Sequence, residues 1–384
     1  MKKKSILHVV NVYFVLPYFF GDQFLYLGEN GFDVHVICSP SEHLEQYAKE
    51  KRIKYCEINV LRSFAVLQDL KSLYQICQYI NKNNIDVVIG HTPKGALLAM
   101  FASTIMGVKK RIYFRHGLLY ETSNGLKRFI LKTVEKLTSF CATKIVCVSP
   151  SLAIKSLEDN LNKPQKQMVI GKGTCGGIDS INKFNPDKIK NEITENLRKK
   201  IKINQDDFVI GFCGRIVKDK GILELVEAFE KFKNYRRNLN CKLLLVGDFE
   251  ERDSLPVEIL NKVRKDENII VTGFIYENIE YYYSLMNVFV LPSFREGFGM
   301  SVLEASAMRK AVLTTRVTGC VDSIVDGETG FYISNNANSI AEKLNYLVEL
   351  GNLETLGQNS RKFVTDNFDN RVLWPIIVNE VYSN

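Results

Sequence analysis

Residues 287–310 read NVFVLPSFREGFGMSVLEASAMRK, and their order of textures decides the architecture. VFVLPS is a short, nearly continuous apolar run, the pattern of a strand buried on both faces. FREGFG holds two glycines and no apolar period, so it reads as a loop. MSVLEASAMRK then reads as a helix. Strand, glycine loop and helix in that order are part of a βαβ series. Glu296 falls in the loop and Glu304 in the early turns of the helix, so the two carboxylates need not share a face. Gly297, Phe298 and Gly299 would present backbone N–H groups at the helix start, where negative charge is favoured. Taken as a lone pair, the glutamates also fit a bland reading: a loop charge and a helix surface residue.

The same alternation runs outward in both directions. FVIGFCG, KLLLVGDF, NIIVTGFI, AVLTT and GFYI read as strands around the quoted stretch. SILHVVNVY, FDVHVICS, DVVIGHT, RIYFRHG and KIVCVS do so in the first half. Helical patterns lie between them at 66–82, 94–106 and 221–233, the last placing Ile222, Leu225, Val226 and Phe229 on one face. This is an α/β chain with parallel, doubly wound sheets. Residues 158–207 are polar and carry Pro164 and Pro186, as a linker would. MVIGKGTCGGIDSINKF reads as a glycine-rich turn closing the first domain. The expected division is 1–180 and 181–365, each Rossmann-like, with 366–384 as a helix returning to the first domain and broken at Pro375. Open α/β sheets bind ligands beyond the carboxyl ends of their strands, so the expected site is a cleft between two facing sheets.

Size and composition agree with two domains, since 384 residues exceed the usual domain length. The nine cysteines are scattered without a CxxC pair, which points to free thiols and away from a zinc site. MKKKSILHVV begins like a signal peptide, but His8, Asn11 and Pro17 interrupt the apolar run, which favours a buried first strand. No later stretch is apolar for long enough to span a bilayer. The net charge of +8 is uneven: residues 1–180 carry +10 and residues 181–384 carry −2. The first half is therefore expected to face something anionic, unless the charge only solvates it. GLKRFILKTVEKLT, 125–138, sets Lys127, Arg128, Lys132 and Lys136 around an apolar stripe. That suits an anionic bilayer surface or a lipid-linked diphosphate, and equally a plain packing helix.

Two further clusters can carry chemistry. FCGRIVKDKGILELVEAF, 212–229, ends a strand at Gly214, continues through Arg215, Lys218 and Lys220, and opens a helix near Gly221. Cations beside exposed helix N-terminal amides suit a diphosphate, although a solvated basic loop has the same composition. His116 in FRHGL follows one strand end, and His91 in GHTPKG follows its neighbour. His8, His35 and His43 receive no role. No G-x-G-x-x-G follows the first strand, which disfavours a dinucleotide dehydrogenase.

The E-x7-E pattern of REGFGMSVLE after VLPS resembles the signature of family-4 retaining glycosyltransferases of the GT-B fold. GRIVKDKG and AVLTTRVTGCVDSIVDGETGFYI resemble that family too. HTPKGALLAMFAS, RIYFRHGLLYE and VSPSL are similar to members that build bacterial surface polysaccharides. The resemblance implies that Arg215 and Lys220, at the strand end of Gly214, neutralise the diphosphate of a nucleotide sugar. It implies that Glu304 holds the ribose, that Glu296 and the amides of Gly297, Phe298 and Gly299 face the sugar, and that the base lies near Gly273 and Phe274. His116 would line the cleft as a catalytic residue, with His91 and Gly21 as acceptor-side candidates. In YFFGDQF Gly21 stands alone where many members have paired glycines, and Gly176-Gly177-Ile178-Asp179 replaces their Asn-Gly-Val-Asp turn. The expected donor is a UDP-sugar and the expected acceptor a lipid-linked saccharide, with retention of configuration. Neither a cofactor nor a metal is expected, because no Asp-x-Asp is placed for one. No nucleic-acid partner is expected, and the setting would be cytoplasmic, at the inner face of the membrane. The alternatives are a sugar-nucleotide epimerase of the same architecture and a non-catalytic nucleotide-sugar sensor.

Overall fold

A computed structural model describes residues 3–61, 65–174, 176–251 and 253–383. The chain forms two compact units, Met1–Gly177 together with Arg371–Asn384, and Ile178–Asn370.

The N-terminal unit is built on a seven-stranded parallel sheet in the order β3-β2-β1-β4-β5-β6-β7. Its strands are β1 (Lys4–Val9), β2 (Phe32–Cys38), β3 (Lys54–Glu57), β4 (Val87–Gly90), β5 (Lys110–Arg115), β6 (Lys144–Cys147) and β7 (Gln167–Val169). Helices α1 (Gln23–Glu29), α2 (Leu44–Lys51), α3 (Val66–Lys82), α4 (Pro93–Ile105), α5 (Gly125–Cys141) and α6 (Pro150–Glu158) connect them. The central strands are buried on both faces, with Ile6, Leu7, Val87, Val88 and Ile112 fully inaccessible. That burial is why they read as unbroken apolar runs. Helix α6 starts where Ser149 accepts a hydrogen bond from the Leu152 amide at 3.2 Å, a side-chain N-cap.

The C-terminal unit carries a six-stranded parallel sheet, β10-β9-β8-β11-β12-β13. The strands are β8 (Phe208–Cys213), β9 (Cys241–Val246), β10 (Ile269–Val271), β11 (Val288–Leu291), β12 (Ala311–Thr315) and β13 (Gly330–Ile333). Its helices are α7 (Asn191–Ile201), α8 (Ile222–Tyr235), α9 (Val257–Lys265), α10 (Ile279–Leu285), α11 (Met300–Ala307), α12 (Ala337–Leu350) and α13 (Leu353–Phe368). In both sheets the order reverses beside the unit's first strand, between β1 and β4 and between β8 and β11. Ligands gather at the carboxyl ends of strands at such reversals.

Two local expectations need correction. Residues 158–207 are not an open linker: they contain α6's end, β7 and α7. Strand β7, half-buried at the sheet edge, is only three residues long, too short for a periodic signal. Pro375 does not break the last helix. It lies inside α14 (Asn370–Ile376), and the chain then winds on through a π-helical segment, Ile377–Ser383. Proline has no N–H to donate to the carbonyl four residues back, so the helix runs past it without that one hydrogen bond. The cysteines Cys38, Cys56, Cys77, Cys141, Cys147, Cys213, Cys241 and Cys320 are free thiols, and Cys175 lies outside the described residues.

A buried ion pair ties α5 to the sheet. Arg115 Nε, at the end of β5, donates to Glu135 Oε2 at 3.2 Å, and Tyr113 Oη donates to the same carboxylate at 2.9 Å. The remaining guanidinium nitrogens reach Asn162 at 2.8 Å and Ser139 at 2.6 Å. Each guanidinium nitrogen thereby has a partner, which helps such a charge to be tolerated inside.

Candidate functional site

In the C-terminal unit the loops after β8 and β11 are clamped together. Gly221 has φ +70°, and a Cβ there would stand 2.1 Å from the Pro292 carbonyl oxygen. Only glycine lets the start of α8 pass so close to the end of β11. The Phe294 amide donates to Asp219 O at 3.0 Å, and Arg295 Nη2 pairs with Asp219 Oδ2 at 2.6 Å. The result is a short ion pair between Lys220 Nζ and Glu296 Oε1. Ser293 Oγ donates to the same carboxylate oxygen at 2.9 Å. Two sequence candidates 76 residues apart thus meet.

Arg215 stands differently. Its side chain is 45% exposed and its Nη1 donates to Glu250 Oε2 at 3.0 Å. Gly214 continues the ladder past β8, its amide donating to Val246 O at 3.0 Å. Arg215 and Lys220 are therefore each held by a carboxylate of their own unit. The more exposed Arg215–Glu250 pair contributes little to stability and can be exchanged for a better anion.

The glycine bracket serves packing as well as access. A Cβ on Gly319, which has φ +81°, would lie 2.5 Å from Gly297 O, so two glycine segments press together there. The Phe298 ring is buried against Phe368, centroids 5.4 Å apart. Its side chain belongs to the core, and only its backbone belongs to the helix start. Among the described residues the amides of Phe298 and Gly299 make no hydrogen bond, whereas the carbonyl of Gly299 accepts from Val302 and Leu303. Two free donors therefore open α11, beside the Lys220–Glu296 pair.

Glu304 is turned inward on α11, and its Oε2 accepts from Tyr283 Oη at 2.6 Å. Burial pushes its carboxyl up to about 7, with the tyrosine hydrogen bond holding it down in part. Near neutrality this group can accept from a hydroxyl in one protonation state and donate in the other. Phe274 is half exposed and meets Tyr276 edge-on at 4.5 Å, following Gly273 with φ +72°. This aromatic pair is a surface on which a flat ring can stack.

In the N-terminal unit the histidines form a row. His8 on β1, His91 just after β4 and His116 just after β5 sit on adjacent strands at the carboxyl edge. His8 Nδ1 lies 3.0 Å from His91 Nε2, and His91 Nδ1 lies 3.0 Å from His116 Nε2. Phe19 stacks on the His116 ring, centroids 4.7 Å apart. Burial pushes the His8 imidazolium down to about 3 and that of His116 to about 4, and His91 is lowered as well. All three are neutral at pH 7. His8, given no role from the sequence, is joined to the two histidine candidates in this row, and a histidine inside an apolar strand is its only local signal. His35 bonds Asp33 and Tyr79. Gly21 ends the Leu16–Phe20 segment with φ +50°, its amide on Leu16 O and its carbonyl accepting from Tyr47 Oη. Asp22 beside it is held by Lys51 at 2.5 Å. Tyr283 and Ser293 were also missed, because nothing local marks a tyrosine or serine whose partner is distant in the chain.

Residues 193–363 match the family model described as glycosyl transferases group 1, and residues 6–149 match that described as glycosyl transferase 4-like. The capsular polysaccharide biosynthesis glycosyltransferase CapM of Staphylococcus aureus is 38% identical over 97% of this chain and 96% of its own. The UDP-Gal:alpha-D-GlcNAc-diphosphoundecaprenol alpha-1,3-galactosyltransferase of Escherichia coli is 24% identical over 90% of this chain and 88% of its own. Among solved structures, a glycosyltransferase from Rickettsia africae superposes with a TM-score of 0.81 at 24% identity, covering all of both chains.

Proposed function

The chain belongs to the group 1, GT4-like glycosyltransferases of the GT-B fold, and from that premise we propose that it transfers a sugar from a UDP-sugar to a lipid-linked saccharide, with retention of configuration, in the making of a bacterial surface polysaccharide. The observation that carries this reading is the Lys220–Glu296 pair set beside the free amides of Phe298 and Gly299. An anion arriving there meets a lysine already drawn into place and two donors without partners. The donor and acceptor classes follow the Escherichia coli relative, whose name specifies UDP-Gal and a diphosphoundecaprenol-linked sugar.

Departure of the nucleoside diphosphate leaves an oxocarbenium-like sugar, and the barrier falls when charge on the leaving group is met by fixed donors. In our reading Lys220, the α11 amides and Arg215, released from Glu250, take that charge. Glu296 lies against the sugar, and Glu304 accepts the ribose hydroxyls. Phe274 lies against the base. With cations and a helix N-terminus in these positions, no metal is needed. No carboxylate is placed by this reading as a covalent nucleophile, so the acceptor hydroxyl attacks on the face from which the phosphate leaves, and a phosphate oxygen takes its proton. In the N-terminal unit His116 is read as the catalytic histidine, donating a hydrogen bond to a substrate.

The acceptor would be met at a membrane surface. No helix among the described residues is long and apolar enough to cross a bilayer. On α5, however, Leu126, Phe129, Ile130, Leu137 and Phe140 are exposed, Phe140 to 80%. They share the helix with Lys127 and Lys136, whereas Lys132 is paired with Asp159 and Arg128 stacks on Tyr120. An apolar face rimmed by lysines suits an anionic leaflet. Phe129→Glu with Phe140→Glu should abolish co-sedimentation with phosphatidylglycerol vesicles, and full binding by that variant would refute this surface.

A thermal-shift panel of uridine and guanosine diphosphate sugars tests the donor. One uridine sugar should raise the melting temperature, and Lys220→Ala or Arg215→Ala should remove the shift. The reading fails if no nucleotide sugar moves the transition.

A further inference from the structure

The three imidazoles at the edge of the N-terminal sheet form a directional chain. His8 and His91 are fully buried, their planes 4° apart and their centroids 5.2 Å apart. With nitrogens 3.0 Å apart, the rings meet edge to edge. His91 and His116 are tilted by 43° with centroids 5.3 Å apart.

A neutral imidazole has one N–H and one bare nitrogen. Both nitrogens of His91 face another imidazole nitrogen, so His91 must donate to one neighbour and accept from the other. Only two arrangements satisfy both contacts. In the inward one, His116 Nε2 donates to His91 Nδ1, His91 Nε2 donates to His8 Nδ1, and the last proton sits on His8 Nε2. That atom is buried and has no hydrogen-bond partner among the described residues. Around it are the rings of Phe20, Phe24 and Tyr382, at 5.3, 5.0 and 5.9 Å between centroids. A buried donor or acceptor without a partner carries a desolvation penalty, and an orphaned buried N–H is the rarer of the two, so the inward arrangement is the less favourable. In the outward arrangement that nitrogen is bare, His8 Nδ1 donates to His91 Nε2, and His91 Nδ1 donates to His116 Nε2. His116 must then carry its own proton on Nδ1.

We infer that His8 and His91 are positioning residues that lock His116 as its Nδ1–H tautomer, so that His116 presents a donor to the ligand. This rests on the transfer reading given above for His116 and extends it to two residues that touch no substrate. Phe19, stacked on His116, fixes the plane in which that donor lies. His8 acts from the far side of His91, through hydrogen bonds alone. The two replacements of His8 therefore differ in what they keep: asparagine can place an amide N–H near the Nδ1 position, and phenylalanine keeps the bulk without the donor.

The test reads tautomers directly by nitrogen-15 NMR of the histidine rings in the full chain, with His116 assigned by its loss in His116→Gln. Wild type should show His116 with its proton on Nδ1, and His8→Asn should preserve that signature. His8→Phe should give a mixture of both tautomers, and His8→Leu serves where His8→Phe does not fold. In a turnover assay with the sugar selected by thermal shift, His8→Phe should lower kcat roughly ten- to a hundredfold and leave KM unchanged. His116 with its proton on Nε2 in wild type, or an unaltered tautomer in both His8→Phe and His8→Leu, overturns the inference. If no nucleotide sugar is turned over, the transfer reading falls, while the NMR signature still decides the histidine chain.

Discussion

Acidification from pH 7 to pH 5 should destabilise the N-terminal unit through His8, and the size of the effect can be worked out. In the unfolded chain an imidazole titrates near its ordinary value of 6.5, whereas in the fold burial lowers His8 to about 3. Between these values the unfolded state binds the extra proton, so stability rises with pH and is lost as pH falls below 6.5. At pH 5 nearly every unfolded copy carries the proton and His8 does not, which costs about 2 kcal/mol relative to pH 7. The loss continues at about 1.4 kcal/mol per pH unit until the folded imidazole itself protonates. His91 is buried beside it and shifted in the same direction, so it adds to the slope. The measurement is urea unfolding at pH 7, 6 and 5 followed by fluorescence. The single tryptophan, Trp374, belongs to the N-terminal unit, where its Nε1 donates to Gly176 O at 2.7 Å and its ring meets Tyr26 at 5.3 Å. It therefore reports that unit alone. His8→Phe changes packing at every pH, so the comparison is of slopes: the variant should lose about 2 kcal/mol less than wild type between pH 7 and pH 5. Equal slopes would refute the claim that His8 is held neutral inside the sheet.

Lys220→Ala leaves Glu296 without its counter-ion and removes a cation from the proposed leaving-group site; turnover should fall roughly 10²–10³-fold in a steady-state assay. Glu304 shows the opposite linkage to His8, because its carboxyl is raised from an ordinary 4.5 to about 7. The folded state binds more protons in that window, so its contribution becomes unfavourable as pH rises through it. Glu304→Gln should therefore stabilise the C-terminal unit at pH 8 by up to about 3 kcal/mol, and hydrogen exchange on α11 at pH 5 and pH 8 checks the sign. Arg115→Met strands Glu135 in the sheet without its partner and should cost about 3–5 kcal/mol in the Trp374-detected unfolding of the N-terminal unit. The double replacement Arg115→Met with Glu135→Leu should recover most of that loss, since it leaves no uncompensated charge.

The sequence by itself determined the alternation of strands and helices, the parallel sheets and the family. These rest on local texture: continuous apolar runs for strands buried on both faces, a 3.6-residue period for α3 and α8, and glycines where a loop turns into a helix. Residues 66–82 carry one helix from end to end because period and length agree there. Strand β7 and helix α7 were not legible, since an edge strand of three residues and a helix with no fully buried side chain leave little pattern. Tertiary structure alone decided the partnerships. Lys220 meets Glu296 because β8 and β11 are neighbours in the sheet, although the chain passes through β9 and β10 between them. His8, His91 and His116 align because β1, β4 and β5 are adjacent, and Tyr283 finds Glu304 because α10 packs beside α11. A pattern along the chain records which face of an element is buried. It holds no record of which strand lies alongside, and hydrogen bonds of 3 Å depend on that adjacency.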